Sequence, residues 1–476
     1  MPSILTAYLN GGWSPRRRRP AEAVRAPFTG RRIAQLVPGD GAELRAAIAG
    51  ARRAQRVLAA LPRHARAGIL ERTAELLAAE RARLGRLIAR DAGKPITLAL
   101  AEVDRAITVL GLAAAEARRF GISAFAADGD ARGTGMQATV ERFPLGVIAA
   151  ISPFNFPLNL VAHKVAPAIA AGNAVVLKPP PQAPLAAFRL AELLTRAGLP
   201  PGGLQVLALP LPLAERLATD PAFAMLSFTG SARVGWHLQA IAPRRKVVLE
   251  LGGNAAVLVH SDADDLPALA ARIAWGAFAY AGQVCIKVQR LYVHAPLFRR
   301  FSRLIVAATR RLVAGDPLHP ATVLGPLIDL DAVRRVQQWI VEAEAAGARP
   351  LLRGRRRGQV LGPTILTRVT PAMKVWSEEV FGPVLTVMPY RGWSEGIRLA
   401  NATQYGLQAG IFTHDARRIE AAFRGLEVGG VVLNDIPTLR LDHLPYGGVK
   451  ASGFGREGVQ SAMDTMSEPR LLLGRP

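Results

Sequence analysis

The sequence predicts an α/β protein with two doubly wound domains, each a parallel sheet covered by helices on both faces. Apolar strands alternate with helices between residues 146 and 250, and the alternation resumes with new members after Gly252-Gly253. At 476 residues the chain is also too long for one ordinary core. Strands that are apolar throughout, with helices between them, are typical of parallel sheets buried on both faces.

The first part of the chain is expected to build one of these domains. Residues 1–38 have the pattern of short strands and turns, and Asp40 suits the N-cap of a helix that runs to about residue 60. Two or three amphipathic helices follow within 63–119, and we interpret their Arg and Glu residues as solvated surface. The alternation then predicts strands at 146–151, 174–178, 204–207, 225–228 and 247–250, and helices at 157–170, 185–197 and 232–240.

The second domain is expected to begin near Gly252-Gly253. Its pattern predicts strands at 255–259, 289–293, 384–388, 409–413 and 428–433, and helices at 264–280, 296–313, 331–346, 394–400 and 415–424.

The charge of the chain is strongly positive, with 60 Lys and Arg against 36 Asp and Glu and a formal net charge of +24. Nucleic-acid binding is one interpretation. The basic residues are dispersed, however, and the local runs at Arg16–Arg19 and Arg353–Arg357 contain no aromatic residues that could stack on bases. We therefore favour a compositional bias of the surface and predict no specific nucleic-acid partner.

The apolar residues predict no membrane span, because no uninterrupted apolar stretch of about 18 residues occurs. The start of the chain lacks the pattern of a signal peptide. A single cysteine is compatible with a reducing compartment, so we expect a cytoplasmic protein. The sequence offers no clustered His and Cys ligands, and we predict no metal site.

Cys285 is the only cysteine, so it cannot form an intramolecular disulfide. Three interpretations remain open on its own sequence: a buried apolar residue, an incidental thiol, or a nucleophile. Base rates favour the buried residue.

Five polar stretches lie at or just after predicted strand ends, where open α/β sheets bind ligands. Each has an ordinary structural explanation as well, such as an Asx-turn for Asn155, a snorkelling side chain for Lys178 or a structural carboxylate for Glu250. The stretches are Ser152-Pro153-Phe154-Asn155-Phe156-Pro157, Val176-Leu177-Lys178-Pro179, Phe228-Thr229-Gly230-Ser231, Glu250-Leu251-Gly252-Gly253-Asn254 and Glu378-Glu379-Val380-Phe381-Gly382-Pro383.

Together with Gly282-Gln283-Val284-Cys285 and the segment 445–458, these stretches closely resemble the aldehyde dehydrogenase superfamily in their order. More loosely, the chain resembles its lactaldehyde and small-aldehyde branch. The resemblance implies that Cys285 attacks the aldehyde to give a thiohemiacetal and then a thioester. It also implies that the Asn155 amide and the Cys285 N–H bind the oxyanion, and that Glu250 activates water for hydrolysis.

The resemblance further implies a nicotinamide cofactor, either NAD or NADP. Members that prefer NAD often carry Glu where this chain has Pro181, so NADP remains open. The implied cofactor-binding residues are Ile151, Ser152, Phe154, Lys178, Pro181, Gly230, Ser231, Leu251, Glu379 and Phe381.

The substrate is expected to be a small-molecule aldehyde, with Phe156, Ile286, Lys287 and Arg440 as pocket candidates. Lys287 stands where small residues are usual in the superfamily. We hypothesise that it adds positive potential near the thiolate or the substrate entrance and favours anionic aldehydes. The alternative is a lysine that points away along the strand. We expect His163 to be a packed helix residue.

The implied architecture has an NAD(P)-binding domain at 1–121 and 145–250, a catalytic domain at 251–447, and a β oligomerisation arm at 122–144 and 448–476. The strands of this arm cannot cover their apolar side chains without a partner, so we predict a homodimer or homotetramer. Two other functions stay open: transfer of the thioester to coenzyme A, against which Glu250 argues, and a non-catalytic polyanion-binding or structural role suggested only by the charge.

Overall fold

A computed structural model describes residues 2–15, 19–242 and 244–475. The basic run predicted at Arg16–Arg19 lies outside this part except for Arg19. The helices of the described chain are Gly41–Ala60, Arg63–Ala79, Arg81–Asp91, Ile96–Arg119, Asn159–Ala170, Leu185–Arg196, Leu211–Thr219, Ala232–Ala240, Leu266–Phe278, Ala295–Arg310, Leu330–Ala345, Lys374–Ser377, Trp393–Asn401, Ala416–Gly425 and Val459–Thr465. None of these helices has the length and apolar character needed to cross a lipid bilayer.

The first large sheet contains eight strands, of which the central five are parallel. Its register pairs Ile151 with Lys178 on one side and with Phe228 on the other, and pairs Thr229 with Glu250. The C-terminal ends of the parallel strands therefore meet at one edge. In spatial order the strands are Gly453–Phe454, Lys246–Glu250, Met225–Thr229, Val147–Ile151, Ala174–Lys178, Leu204–Val206, Tyr8–Leu9 and Gly12–Trp13.

The second large sheet has seven strands and is parallel except at one edge, where Arg349–Leu352 runs antiparallel to its neighbour. Apolar side chains on both faces pack under the flanking helices and form the core of this half of the molecule. In spatial order the strands are Arg349–Leu352, Thr364–Thr367, Val384–Tyr390, Arg290–His294, Ala256–Val259, Gln408–Phe412 and Gly430–Leu433.

A separate antiparallel sheet is formed by Ile122–Ala126, Gln137–Pro144 and Ser467–Gly474. Its first strand is exposed along its whole length, and most of its last strand is exposed too. The remaining short strands pair as Ile4–Leu5, Arg32–Leu36 and Glu22–Arg25; Val313–Ala314 with Thr322–Leu324; Arg356–Arg357 with Val360–Leu361; and Tyr405–Gly406 with Val449–Lys450.

The predicted α/β class with two doubly wound sheets is confirmed. The capping interaction expected at Asp40 is also present: its Oδ1 accepts a hydrogen bond from the Glu43 N–H at 2.8 Å, and Glu43 Oε2 accepts one from the Asp40 N–H at 3.2 Å. The helix expected from Pro157 begins two residues later, at Asn159, after a turn.

Elements absent from the prediction include the helix Leu211–Thr219 and the strands Arg349–Leu352 and Thr364–Thr367. The helix begins directly after Pro210 and has only nine residues, which is too short for its apolar periodicity to be recognised. Gly453–Phe454, which we expected in the oligomerisation arm, instead extends the first sheet beside Lys246–Glu250. The domain limits given above remain predictions.

Candidate active site

The turn that presents Cys285 has a strained backbone. Tyr280, Ala281 and Gly282 follow one another with φ of 55°, 53° and 71°. The first two are non-glycine residues in the left-handed region, which usually costs about 1–3 kcal/mol per residue and is kept only where the surroundings demand it. The fully buried Gln283 holds the turn: its amide donates to Tyr280 and Pro326 carbonyls and its oxygen accepts from Ile328 N–H at 2.9 Å.

Cys285 is partly exposed and lines a cavity of about 260 Å³. Its Sγ lies 3.3 Å from the hydroxyl of Tyr446. Burial raises the pKa of the thiol to about 11, and the charges of Glu379 and Glu250 act in the same direction. The hydrogen bond with Tyr446 and the charge of Arg440 act to lower the pKa. The resting thiol is therefore protonated at neutral pH.

Two N–H donors with hydrogen-bonding capacity to spare lie at the turn that carries Cys285. Asn155 is buried, and its Nδ2 donates to the Gln283 carbonyl at 3.0 Å, which leaves the second N–H of the amide free to serve another acceptor. The backbone N–H of Cys285 makes no hydrogen bond within the described chain. Together they form the type of donor pair that stabilises an oxyanion.

Glu250 ends a central strand of the first sheet and is almost fully buried. Neither of its carboxylate oxygens has a hydrogen-bond partner among the described residues. Burial, and then the nearby Glu457, raise the pKa of Glu250 well above its ordinary value. A buried carboxyl with a raised pKa and both oxygens free suits a general base.

Glu457 has the opposite electrostatic character. Lys164 Nζ lies 2.9 Å from its Oε1, and Arg440 Nη2 lies 3.2 Å from its Oε2. Burial acts to raise the pKa of Glu457, but Lys164 and Arg440 outweigh it and lower the pKa to about 2. The surroundings therefore act oppositely on the two neighbouring carboxyls: they favour the charged form of Glu457 and the protonated form of Glu250.

The strand ends of the first sheet present polar groups suited to a dinucleotide. Ser152 Oγ and Thr229 Oγ1 are buried without a hydrogen-bond partner in the described chain. Lys178 is half-buried at the end of its strand, where burial lowers its pKa. Ser231 begins the helix Ala232–Ala240 without capping it through its side chain, so the first N–H groups of that helix are available to an anion. These residues fit a nicotinamide dinucleotide.

Glu379 and Phe381 approach this edge from the second half of the chain. Glu379 Oε1 accepts a hydrogen bond from the Gly253 N–H at 3.1 Å, and burial raises the pKa of Glu379 to about 7 against the effect of that bond. The ring of Phe381 meets the ring of Phe154 edge to face at 5.8 Å. A Cβ at Gly252 would clash with Glu379, so the glycine is required for this close approach.

The remaining cofactor candidates contribute mainly through backbone or position. Ile151 is paired within the sheet, and the Leu251 N–H already donates to the Ser452 carbonyl at 3.0 Å. Gly230 donates its N–H to the Glu250 carbonyl at 3.0 Å. Pro181 is exposed beyond Lys178.

Lys287 does not lie where we expected it. Its side chain is buried, and its Nζ donates to the Val384 carbonyl at 2.6 Å, on the side of Glu379 and away from the cavity. Burial lowers its pKa to about 7. The turn places Cys285 and Ile286 on the cavity side and rotates the next side chain into the second sheet. The hypothesis that Lys287 adds positive potential at the substrate entrance is therefore wrong.

The other three pocket candidates, Phe156, Ile286 and Arg440, do line the cavity. The walls also include residues that the sequence did not indicate, notably Arg105, Arg272, Trp275 and Tyr446. Arg105 lies on the helix Ile96–Arg119, whose charged residues we interpreted as solvated surface; periodicity alone cannot distinguish a face that borders a cavity from one that borders bulk water.

Two of the cavity arginines share one aspartate. Arg105 binds Asp442 through two hydrogen bonds, of 2.9 Å from Nε and 2.5 Å from Nη2, and Arg440 Nε lies 3.7 Å from the same carboxylate. His163 Nε2 lies 2.9 Å from Asp442 Oδ1, which agrees with a packed helix histidine. Burial acts to raise the pKa of Asp442, but the hydrogen bonds from Arg105 and His163 outweigh burial and hold that pKa well below its ordinary range. For both arginines, no hydrogen bond from Nη1 occurs among the described residues.

Within the described residues, no three His, Cys, Asp or Glu side chains are grouped so that they could hold a metal ion.

Comparison with known proteins agrees with this geometry. The model of the aldehyde dehydrogenase family matches residues 13–472. A 3-sulfolactaldehyde dehydrogenase of Priestia megaterium is 44% identical over 409 residues, which are 85% of each chain.

Solved structures agree over still more of the chain. Aldehyde dehydrogenase 21 from Physcomitrella patens, in complex with the reaction product succinate, is similar at a TM-score of 0.97 and 38% identity, covering 100% of this chain and 99% of that one. A glyceraldehyde-3-phosphate dehydrogenase from Methanocaldococcus jannaschii complexed with NADP is similar at a TM-score of 0.92 and 35% identity, covering 97% and 100%. The chain therefore belongs to the aldehyde dehydrogenase family and is an NAD(P)-dependent enzyme that oxidises an aldehyde.

Proposed function

We propose that this enzyme oxidises a small aldehyde that carries an anionic group, such as a carboxylate or sulfonate, to the corresponding acid. The observation that carries the proposal is the pair Arg105 and Arg440, which face one cavity with Cys285 and share Asp442. Guanidinium groups with an unused N–H edge bind carboxylates and sulfonates through charge-assisted hydrogen bonds.

Cys285 is the nucleophile in this proposal. As a thiolate it forms a C–S bond to the carbonyl carbon, and the carbonyl electron pair moves onto oxygen. The Asn155 amide and the Cys285 N–H then donate hydrogen bonds to this oxyanion. The product of hydride loss is a thioester on the same sulfur.

Glu250 completes the reaction by deprotonating the water that attacks the thioester. Both of its oxygens are free, so one can accept the proton of a water without giving up an existing bond. Expulsion of the thiolate releases the acid and restores Cys285.

The cofactor lies, in this proposal, along the strand ends of the first sheet. Ser152, Lys178 and Ser231 would hold it from that sheet, and Glu379 and Phe381 from the other side. When bound, its nicotinamide supplies the hydride acceptor for the oxidation. Pro181 brings no carboxylate toward the ribose, so neither NAD nor NADP is rejected by charge.

The names of the relatives support an anionic substrate. One acts, by name, on 3-sulfolactaldehyde, and one solved neighbour holds succinate as its reaction product. Sulfonate and carboxylate share charge and the ability to accept several hydrogen bonds. A cavity of about 260 Å³ limits the aldehyde to a few carbon atoms.

The test compares a neutral and an anionic aldehyde of similar size, propionaldehyde and succinate semialdehyde, with NAD⁺ and NADP⁺ in parallel. We expect kcat/KM to be higher for the anionic aldehyde and Arg105→Gln to lower it by about ten-fold or more, since a hydrogen bond to a charged group contributes roughly 1.5–3 kcal/mol. The neutral aldehyde should be little affected.

Arg118→Gln provides the matched control, because Arg118 is exposed and pairs with Glu71 on the protein surface. A wild-type enzyme that prefers the neutral aldehyde, or an Arg105 variant that loses both substrates equally, would contradict the proposed substrate class. Cys285→Ala serves as the blank.

Transfer to coenzyme A remains the alternative fate of the thioester. A base at Glu250 would favour hydrolysis over this transfer. Product identification with and without coenzyme A distinguishes the two, and we expect free acid with no dependence on the added thiol.

We also propose a homodimer or homotetramer assembled through the sheet of Ile122–Ala126, Gln137–Pro144 and Ser467–Gly474. Five large apolar side chains on its outer strands are more than half exposed, and a second copy of the chain is the occupant we propose for this surface. They are Ile122, Phe125, Leu471, Leu472 and Leu473. A cytoplasmic location remains a prediction from the single reduced cysteine.

A further inference from the structure

Tyr446 has a buried hydroxyl group with only one neighbour to which it can hydrogen-bond in the described chain, and that neighbour is the nucleophilic sulfur. The distance from Oη to Cys285 Sγ is 3.3 Å. The Tyr446 hydroxyl has no role in the oxidation and hydrolysis described above.

The position of the hydroxyl is fixed by the backbone and by the ring. Tyr446 and Glu457 exchange two backbone hydrogen bonds, at 2.9 and 2.7 Å, so the residue is held as an isolated bridge. The side chain is 7% exposed, and the Arg440 guanidinium lies 3.8 Å from the ring centroid. Such a ring has little freedom to move the hydroxyl away from Cys285.

The direction of the hydrogen bond depends on the state of the sulfur. A thiol can donate or accept, so either atom can be the donor while Cys285 is protonated. A thiolate has no proton, and only the tyrosine hydroxyl can then donate. The interaction therefore strengthens when the thiolate forms, because hydrogen bonds to ionised acceptors are about twice as strong as neutral ones.

We propose that Tyr446 is a catalytic residue that donates a hydrogen bond to the Cys285 thiolate and thereby raises the fraction of reactive sulfur. This proposal rests on the assignment of Cys285 as nucleophile. Tyr446 stays protonated throughout, and the proton that leaves the Cys285 thiol passes through water to the buffer.

The charges around Cys285 show why such a donor is needed. The carboxyls of Glu250 and Glu379 both disfavour a negative sulfur, as does burial. The groups that favour it are the Tyr446 hydroxyl and the Arg440 guanidinium. Arg440 lies against the face of the tyrosine ring, and its positive charge strengthens the hydroxyl as a donor.

Alkylation by iodoacetamide, in the absence of aldehyde and cofactor, tests the proposal. The thiolate forms an S–C bond, the C–I bond breaks, iodide leaves, and the thiol proton goes to the buffer. The rate is followed by mass spectrometry of the Cys285 peptide over a range of pH. Tyr446→Phe removes only the hydroxyl and keeps the ring beneath Arg440.

We expect the alkylation profile of Tyr446→Phe to move to higher pH, with a rate at neutral pH about ten-fold below wild type, because a hydrogen bond to a charged group is lost. The control is Tyr390→Phe, which removes the hydroxyl of another buried tyrosine, bonded to the Val259 carbonyl at 3.3 Å and away from Cys285. Its profile should match wild type. An unchanged profile for Tyr446→Phe would overturn the proposal.

A second variant keeps the proposal testable if Tyr446→Phe does not fold. Tyr446→fluorotyrosine preserves shape and makes the hydroxyl a stronger donor, so the profile should move to lower pH; no movement, or movement upward, counts against the proposal. If Cys285 were not the nucleophile, the Cys285→Ala variant would still oxidise the aldehyde. That result is distinct from an unchanged alkylation profile in the Tyr446 variants.

Discussion

Glu250 and Glu457 show how strongly two neighbouring carboxyls can differ at the level of single residues. One has no hydrogen-bond partner in the described chain, while the other is bound by Lys164 and Arg440. Burial and the charge on Glu457 raise the pKa of Glu250. Hydrolysis of the thioester should therefore accelerate as pH rises and Glu250 loses its proton, at a higher pH than for an ordinary glutamate.

Glu250→Gln is expected to separate the two halves of the reaction. The variant should give a stoichiometric burst of reduced nicotinamide, followed by turnover slowed by about 10²–10⁴-fold, the usual contribution of a general base. In this variant the hydrolysis rate should no longer rise with pH, because the titrating carboxyl is absent. Rapid-mixing absorbance measurements give both phases.

A variant with no burst and an unchanged steady state would exclude Glu250 as the base of hydrolysis. Restoration of full turnover by coenzyme A would instead favour the acylating reaction.

The sequence was most informative about residues at strand ends. Asn155, Lys178 and Glu250 stand out because each polar side chain follows or ends an apolar strand, whereas Cys285 stands out as the only cysteine. Arg105 could not be recognised in this way, because its partner Asp442 is 337 positions away in the chain and only the folded molecule brings them together. Lys287 was misplaced because the direction of a side chain within an irregular turn does not follow from periodicity.

At the level of elements, the turn before Cys285 depends on Gly282. Its φ is 71°, and a Cβ would clash with the Gly382 carbonyl oxygen. Gly282→Ala should lower the free energy of unfolding by about 1–3 kcal/mol, the usual cost of such strain. Because the turn positions the nucleophile, activity should fall more steeply than stability.

Gly358→Ala is the matched control for this prediction. Gly358 also has a positive φ, of 62°, but a Cβ there would meet open space. Urea unfolding and steady-state kinetics should show a modest loss of stability, about 1 kcal/mol, with normal activity. Equal activity in the two variants would show that the turn does not need its present geometry.

The regular elements were predicted well because their apolar periodicity is long and unbroken. The helix Ala232–Ala240 and the strand Ala174–Lys178 occur at the predicted residues. The edge strand Arg349–Leu352 was missed, since its four residues, Arg-Pro-Leu-Leu, show no alternation of polar and apolar residues and include a proline. Gly453–Phe454 is a two-residue strand whose position depends entirely on its neighbour in the sheet.

At the scale of the whole molecule, the cavity exists because elements from both large sheets meet. Arg105 comes from the helix Ile96–Arg119, which packs on Asn159–Ala170, and Cys285 comes from the turn before the strand Arg290–His294 of the second sheet. Arg440 comes from the loop near the C-terminal end. The core of the first sheet continues directly to Val284 and Tyr446 at this junction.

The exposed antiparallel sheet gives a prediction about assembly. Leu472→Arg places a charge on its most exposed large apolar side chain, which is 75% exposed, and should shift the molecular mass in solution from an oligomer toward the monomer. Val341→Arg, at a residue 62% exposed on the helix Leu330–Ala345, is the control and should leave the mass unchanged. Light scattering after size exclusion measures both, and a wild-type monomer would contradict the proposed assembly.

In the proposed reaction, Cys285 carries the substrate as a thioester that Glu250 hydrolyses. Glu250→Gln should accumulate this species, so the variant is mixed with succinate semialdehyde and oxidised cofactor, quenched in acid, digested, and analysed by mass spectrometry. We predict one acyl group on the peptide that contains Cys285, in step with the burst of reduced nicotinamide. Reduced nicotinamide without an acyl adduct, or an adduct on any other residue, would contradict the account.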